Sequence, residues 1–320
     1  DYGSFCHQAM EGFGRRAQTD PGWPGLSEAQ VQALMDEALH PLTENWESTP
    51  FSDTPRARHA SEGYVQVCRH MARVMAEAAR VSAFRPVGFE LRFGEGGRLP
   101  PVQLALPGGG RLNLKGVIDR ADMAEYEGQR FLRVIDYKTG RNELDPAEVQ
   151  AGSQLALLLY LLAAGAGKSG IQPAGAFYQL LDDPLVRADS AGEAQKEALR
   201  QLRLSGVMLA DSQLIRLMDQ AEPPYSLMKL TKKDGQVMDK DFLLSPRGME
   251  RLIERASDTA QALSGKIVSG IISRSPLVNA RRRAACAYCR YQGICRLESL
   301  HAEQAKRTLG KVKFRDLAGE

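Results

Sequence analysis

Apolar residues recur along the first eighty positions with the spacing of amphipathic helices. Ser27 and Gln30 have the form of a capping box. The apolar residues that follow them fall on one helix face: Val31, Leu34, Met35, Ala38 and Leu39. A second helix is predicted from about residue 60 to residue 80, and Cys68 lies on its apolar stripe. We therefore interpret Cys68 as a core residue.

The pattern changes to alternation after residue 85, which predicts strands. The first strand is predicted around Phe89 to Phe93, the second over 112–119 and the third over 131–137. Asp145 and Pro146 are typical of a helix start and predict a long apolar helix to about residue 164. A further strand is predicted over 174–181. The predicted order is helix, three antiparallel strands, helix and strand, an α/β fold.

Length and composition are those of an ordinary globular chain with a large core. The 320 residues are 43% hydrophobic and 25% charged, and 42 basic against 39 acidic residues give a net charge of +3. This balance excludes a histone-like polycation, and the longest apolar run, 155–164, is too short to span a bilayer. Because the chain begins Asp-Tyr-Gly, we expect it to be a piece of a longer protein.

We predict one domain over residues 1–320 with four regions. They are N-terminal helices over 1–85, the core strands and helix over 86–182, a helical insertion over 183–270, and a basic, cysteine-rich C-terminal segment over 271–320.

Carboxylates and a lysine lie at the ends of the second and third predicted strands. Asp119 ends one strand, and Asp136 and Lys138 end the next on one face of it. Two close carboxylates resist joint ionisation unless a cation lies between them, and such oxygen ligands suit Mg²⁺ or Mn²⁺. Lys138 could then position water and offset phosphoryl charge. The alternative is a surface salt bridge at a strand end.

The segments Gly116–Arg120 and Val134–Gly140 resemble the motifs of the PD-(D/E)xK nuclease superfamily, whose core has the order αβββαβ with a central mixed sheet flanked by helices. More narrowly, the chain resembles the RecB-type nuclease domain at the C-terminus of AddB, the second subunit of bacterial AddAB helicase–nucleases. Its opening, Gly3-Ser4-Phe5-Cys6-His7, is similar to the family's G-[TS]-x-x-H helix. Matches run from residue 3 to residue 295.

The resemblance implies roles for particular residues. His7, Asp119, Asp136 and the carbonyl group of Tyr137 would bind the metal, with Lys138 at the water. Tyr160 matches a tyrosine on the long helix that faces the active site. The family's Gln, four residues before that tyrosine, is Ala156 here, and Gln154 is nearby. Glu90 is either an outer-sphere residue of the site or part of a solvated strand face.

Three cysteines form the pattern C-x₂-C-x₅-C: Cys286, Cys289 and Cys295. Their spacing indicates a metal site, and the odd number of cysteines with no secretory signal favours a reducing compartment. A zinc site completed by His301 and an absence of metal are the alternatives. The AddB resemblance implies a [4Fe–4S] cluster whose fourth cysteine lies upstream, so that the site would be incomplete in this chain.

Arginines and tyrosines are interleaved in the same segment, a pattern that suits a groove for nucleic acid. The predicted DNA-binding residues are Arg281, Arg282, Arg283, Arg290 and Tyr291. A solvated charged face is the alternative.

The resemblance implies a metal-dependent DNA exonuclease domain of an AddAB-type enzyme that processes double-strand breaks for homologous recombination, acting on double- and single-stranded DNA ends beside an AddA-type subunit. The 5′ to 3′ direction and a cytoplasmic, nucleoid-associated location are likewise implied. A stand-alone iron–sulfur nuclease such as a CRISPR-adaptation exonuclease, and a catalytically degenerate DNA-binding module, are alternatives. No G-x₄-G-K-[ST] motif occurs, so we expect no ATP hydrolysis by this chain.

Overall fold

A mixed β-sheet forms the centre of the molecule in the computed structural model, which describes residues 2–19, 22–44, 53–106, 109–140, 143–165, 170–278, 285–297 and 306–320. Within these residues the sheet has six strands in the order β1-β4-β5-β6-β7-β8. They are β1 (Arg85–Phe93), β4 (Gly116–Tyr126), β5 (Gln129–Lys138), β6 (Ile171–Leu180), β7 (Ser205–Leu209) and β8 (Leu243–Leu244). β5 pairs with β6 and β7 with β8 in parallel, and the other pairs are antiparallel.

Two short strand pairs lie outside this sheet. One is the antiparallel hairpin β2 (Val102–Ala105) and β3 (Arg111–Leu114), and the other is the parallel pair β9 (Leu277–Val278) and β10 (Arg307–Thr308). The predicted second strand, 112–119, is therefore divided between β3 and β4. The β2–β3 hairpin accounts for the division, because its register ends where Leu114 pairs with Val102.

Helices cover both faces of the sheet. They are α1 (Tyr2–Arg16), α2 (Glu28–Thr43), α3 (Pro55–Arg80), α4 (Pro146–Ala151), α5 (Ala156–Gly165), α6 (Ala191–Gln201), α7 (Ser212–Met218), α8 (Pro246–Val268), α9 (Gln292–Cys295) and α10 (Phe314–Ala318). Single 3₁₀ turns lie at Trp23–Gly25 and Ala285–Tyr288. None of the helices in the described part of the chain combines the length and the apolar character that crossing a bilayer requires.

The two faces can be told apart at the end of β5. The Tyr137 hydroxyl lies 3.9 Å from Met75 Sδ of α3, so this side chain points toward the N-terminal helices. Because side chains alternate along a strand, Asp136 and Lys138 point to the opposite face, against which α5 packs. The central strands β4 and β5 are buried along most of their length, as strands covered on both faces are.

The N-terminal helices begin where their capping residues predict. Ser27 and Gln30 form the predicted capping box: the Gln30 N–H donates to Ser27 Oγ, and the Ser27 N–H donates to Gln30 Oε1. Cys68 is buried in α3, which confirms its interpretation as a core residue, and its Sγ lies 3.8 Å from Cys6 Sγ of α1. α3 begins at Pro55, earlier than the apolar stripe indicates, because Thr54 caps it.

The prediction of one long helix over 146–164 is wrong. α4 ends at Ala151 and is capped by Gly152, whose φ of 87° is a left-handed conformation that favours glycine, and α5 begins at Ala156. Gln154 lies in the break, where its Oε1 accepts from the Asp145 N–H at 2.8 Å. Its amide also donates to the Glu143 carbonyl at 3.2 Å, so Gln154 stabilises this turn.

The prediction of a helical region over 183–270 is also incomplete. β7 and β8 lie within it and extend the central sheet by two strands. β7 has only five residues, of which Val207, Met208 and Leu209 are buried. Apolar runs this short do not distinguish a strand from a helix by periodicity.

Candidate active site

The imidazole of His7 joins α1 to three strands of the sheet. Its Nε2 lies 3.2 Å from the carbonyl oxygen of Tyr137 on β5. Its Nδ1 lies 3.4 Å from Asp119 Oδ1 on β4 and 3.8 Å from Glu90 Oε1 on β1. The neighbouring carboxylates of Asp119 and then Glu90 raise the pKa of His7 to about 10, because both stabilise the imidazolium.

Glu90 reaches this site through an unusual backbone conformation. Its neighbours Phe89 and Leu91 pair with Arg120 and Ile118, so Glu90 stands opposite Asp119 in the sheet. Its φ of 46° lies in the left-handed region, which is costly for a residue with a side chain and which is concentrated at functional sites. Oε1 of Glu90 is buried without a hydrogen-bond partner among the described residues. The structure therefore places Glu90 in the site rather than on a solvated strand face.

Asp119 is held in place by the neighbouring strand. Its Oδ2 accepts a hydrogen bond from the Tyr137 N–H at 2.6 Å, and its side chain is buried. His7, Glu90 and Asp119 each offer one ligand atom, and these atoms lie within 4.8 Å of one another. In the part of the chain that the structure describes, they form the one group of three or more such ligands. An orphaned carboxylate oxygen beside a second carboxylate fits a divalent cation.

Asp136 and Lys138 form an ion pair at the end of β5, beside this cluster. Asp119 stands opposite Asp136 in the sheet, because Arg120 pairs with Ile135 in the antiparallel register. Burial and then the charge of Asp119 raise the pKa of Asp136. No oxygen of Asp136 belongs to the group formed by His7, Glu90 and Asp119. Its present partner is the Lys138 ammonium, which also lies 5.3 Å from the centre of the Tyr178 ring.

Tyr160 of α5 forms the side of the site opposite α1. Its ring packs edge-on against Phe93 at 5.9 Å between ring centres. Burial raises its pKa to about 12, with contributions from Asp136, Asp119 and Glu90, so the phenol is protonated at neutral pH. Gly116 faces this contact, and a Cβ there would meet Phe93 at 2.7 Å. Gln154 precedes α5 and is bonded to the 143–145 turn, so it does not replace the family's helical Gln.

Sequence reasoning missed a buried ionic cluster that supports β4 and β5. Asp122 accepts from Arg120 Nε at 2.6 Å and from Arg133 Nε at 3.0 Å. The Arg120 guanidinium lies 4.7 Å from the Trp23 ring centre, and that of Arg133 lies 4.6 Å from Phe84. The signal in the sequence is the presence of charged residues inside otherwise apolar strands.

The three cysteines of the predicted metal site lie among the described residues and form no disulfide there. Cys286 and Cys295 are half-buried and Cys289 is exposed, and within the described residues their sulfurs belong to no group of three metal ligands. Arg290 and Tyr291 are exposed. Arg281, Arg282, Arg283 and His301 lie outside the described residues. Cys6 is buried, and its Sγ lies 3.8 Å from that of Cys68.

We expect the affinity of the cluster for Mn²⁺ to rise with pH. The pKa of His7 is about 10 in the metal-free protein, so below that pH a bound ion must displace a proton. One displaced proton corresponds to about a tenfold gain in affinity per pH unit. Mn²⁺ titration at several pH values around neutrality measures this slope, with His70→Gln as the control. A slope that is unchanged in His7→Gln would contradict the assignment.

Comparison with known proteins gives one family. The model of the PD-(D/E)XK nuclease superfamily matches residues 1–296. Proteins named as a subunit of an ATP-dependent helicase/deoxyribonuclease are similar to the chain. One from Desulforudis audaxviator is 34% identical over 94% of this chain and 27% of its own length. Relatives from Thermoanaerobacter sp. and Bacillus licheniformis are 31% and 29% identical over 93% and 98% of this chain. The chain spans about 27% or 28% of the length of these relatives.

Proposed function

This chain belongs to the PD-(D/E)XK nuclease superfamily, and we propose that it is the metal-dependent DNA exonuclease domain of an AddAB-type helicase–nuclease. The observation that carries the proposal is the cluster of His7, Glu90 and Asp119 with the Asp136–Lys138 pair beside it. The similar proteins are named as one subunit of an ATP-dependent helicase/deoxyribonuclease. Because a subunit has a partner, this name supports a partner of the AddA type. Their name also supports a role on DNA.

The residues of the site have separable parts in phosphodiester hydrolysis. His7, Glu90 and Asp119 would hold Mg²⁺ or Mn²⁺, with Asp136 and the Tyr137 carbonyl group completing the ligands. Such an ion supplies Lewis-acid stabilisation of phosphoryl charge and activates water. The Lys138 ammonium offsets negative charge at the scissile phosphate and orients the attacking water. Tyr160, protonated because of its raised pKa, donates a hydrogen bond to a phosphate oxygen.

A cleavage assay on linear DNA tests this function. The wild-type chain should degrade linear DNA with Mg²⁺ and fail in EDTA, and a covalently closed circle should be spared because an exonuclease needs an end. Phosphorothioate linkages at one terminus or the other determine the direction, which the AddB resemblance gives as 5′ to 3′. Binding without cutting in any divalent metal would favour a degenerate DNA-binding module instead.

We also propose that the cysteine segment belongs to an iron–sulfur site of the longer protein. The three thiols of Cys286, Cys289 and Cys295 are one ligand short of the four that a [4Fe–4S] cluster takes. A fourth cysteine upstream of residue 1 would complete it. Arg281, Arg282, Arg283, Arg290 and Tyr291 would contact DNA phosphates and bases beside it.

Cys289→Ala in the parent protein is expected to remove iron and sulfide, lower thermal stability and weaken binding to DNA ends together. The reason is that the cluster would close a loop of nearly the whole chain, and metal ligation contributes directly to folding. Iron and sulfide are measured after anaerobic purification, with Cys68→Ala, which removes a thiol outside the segment, as the control for these two contents. Stoichiometric zinc without iron or sulfide would overturn the iron–sulfur proposal.

A further inference from the structure

A cleft of about 440 Å³ opens directly beside Lys138 and leads away from the metal cluster. Tyr178, Arg200, Arg203 and Met228 contribute to its walls. Asp136 pairs with Tyr178 on β6, Tyr178 pairs with Ser205 on β7, and Arg203 precedes β7. The cleft therefore crosses from β5 to β7, two strand spacings or about 10 Å from the catalytic lysine.

Arg203 is held in the wall of this cleft, and one of its hydrogen-bond donors is unpaired within the described part of the chain. Its Nη2 donates to the carbonyl oxygen of Pro224 at 3.0 Å, which fixes the guanidinium. Its Nε is buried and has no hydrogen-bond partner among the described residues. Arg200, by contrast, is exposed and bonds to Glu197 at 2.8 Å. A fixed, half-buried guanidinium in the wall of a cleft is suited to a phosphate, because its planar fork of donors matches phosphate oxygens.

A second, polar cavity of about 780 Å³ continues the path, since Met228 lines both. Its basic residues are Arg216, Lys229, Lys232 and Lys233. The last two lie on a turn in which the Lys232 N–H donates to the Gln236 carbonyl and Thr231 bridges to Val237. We name the surface from Lys138 through Arg203 and Met228 to Lys233 the lysine track.

The acidic groups along the lysine track do not cancel its charge. Asp219 is buried and accepts from the N–H groups of Ser226 and Leu227. Glu222 lies 3.8 Å from Lys229 and offsets one charge, and Glu143 borders the first cleft. Lys138 is paired with Asp136, and Asp234 lies on the turn beside Lys233. Four cations then face the three carboxylates Asp219, Glu143 and Asp234, an excess of one positive charge: Arg203, Arg216, Lys232 and Lys233. Met228 adds an apolar side chain, 47% exposed, at the junction of the two cavities.

We propose that the lysine track binds the single-stranded DNA that flanks the scissile phosphate, an inference that rests on the nuclease function proposed for this chain. Arg203 holds the phosphate one or two nucleotides from the cut, Met228 packs against a base, and Lys232 and Lys233 hold phosphates farther along. Spaced cations with an apolar side chain between them match a strand whose phosphates and bases alternate. The substrate at the metal cluster is then single-stranded over several nucleotides.

The salt dependence of single-strand binding tests the far end of the track. Oligodeoxythymidylates of graded length are titrated in EDTA, where no strand is cut. Each phosphate contact on a single strand contributes about 0.7 to the slope of log K against log salt, so Lys232→Gln/Lys233→Gln should lower the slope by about 1.4. The affinity of the variant should also stop rising at a shorter oligonucleotide length than the affinity of wild type does. Lys311→Gln/Lys313→Gln, an exposed pair beside α10, removes the same charge and should change neither measurement.

Single methylphosphonate substitutions test the near end. Neutralising the phosphate that Arg203 contacts should weaken wild-type binding about tenfold. The same change should not weaken binding by Arg203→Gln further, because that variant already lacks the charge-assisted hydrogen bond to this phosphate. Equal sensitivity of both proteins at every position, or an unchanged salt slope in the lysine variant, overturns the proposal. Metal-dependent cutting that requires Asp136 would still support the nuclease function in that case, so the two failures are distinguishable.

Discussion

Asp136→Ala is expected to reduce the rate of DNA cutting at least about 10²-fold while the protein remains folded and bound to DNA. Asp136 lies at the end of β5, where burial and the nearby charge of Asp119 raise its pKa. Its charged form is therefore destabilised in the metal-free protein, and its removal should leave the melting temperature equal to or above that of wild type. Initial cleavage rates with Mg²⁺, melting temperature and DNA affinity in EDTA measure the three expectations.

Lys138→Ala should have the same effect on cutting, since its ammonium is the cation paired with Asp136. Glu125→Ala is a matched control, because Glu125 is an exposed carboxylate at the other end of β4, where it pairs across the strands with Arg130. Cutting by Asp136→Ala at the wild-type rate would show that the active site does not lie at this end of the sheet. Loss of cutting together with loss of folding would instead make Asp136 a structural residue.

The strand part of the site could be predicted from the sequence because strand geometry is local. Alternation placed Asp136 and Lys138 on one face of a strand, and the antiparallel connection brought Asp119 beside them. Both predictions agree with the structure. The metal group itself is more distant in sequence: His7 reaches the carbonyl of Tyr137 from 130 residues away. A contact between residues this far apart leaves no periodic pattern in the sequence, and only the resemblance to the nuclease family indicated it.

Backbone conformation explains what alternation could not predict. The left-handed φ of Glu90 redirects its side chain, so an expectation based on regular strand alternation left this residue undecided. Gly152 interrupts a run that is apolar enough for one continuous helix, and the sequence contains no proline there to mark the break. β7 and β8 were missed because strands of five and two residues have too few positions to establish a period.

Asp122→Asn is expected to cost about 3–5 kcal/mol of unfolding free energy, the usual consequence of breaking a buried ion pair. Burial opposes ionisation of Asp122, but Arg120 and Arg133 outweigh it and hold its pKa below the ordinary value. An amide would leave two buried guanidinium groups without a counter-charge. Because the folded pKa is depressed, this stabilisation is present above the ordinary pKa of an aspartate and is lost as the pH falls through the folded value.

Urea unfolding near neutral pH measures the loss. Asp36→Asn is the matched control, since Asp36 accepts from Arg69 at 2.8 Å, close to the 2.6 Å of Arg120 to Asp122, yet its side chain is 41% exposed. Solvent screening limits a surface pair of this kind to at most about 1 kcal/mol. Destabilisation of Asp122→Asn no greater than that of Asp36→Asn would show that β4 and β5, and with them Asp119 and Asp136, are held in register by apolar packing rather than by the buried ionic cluster.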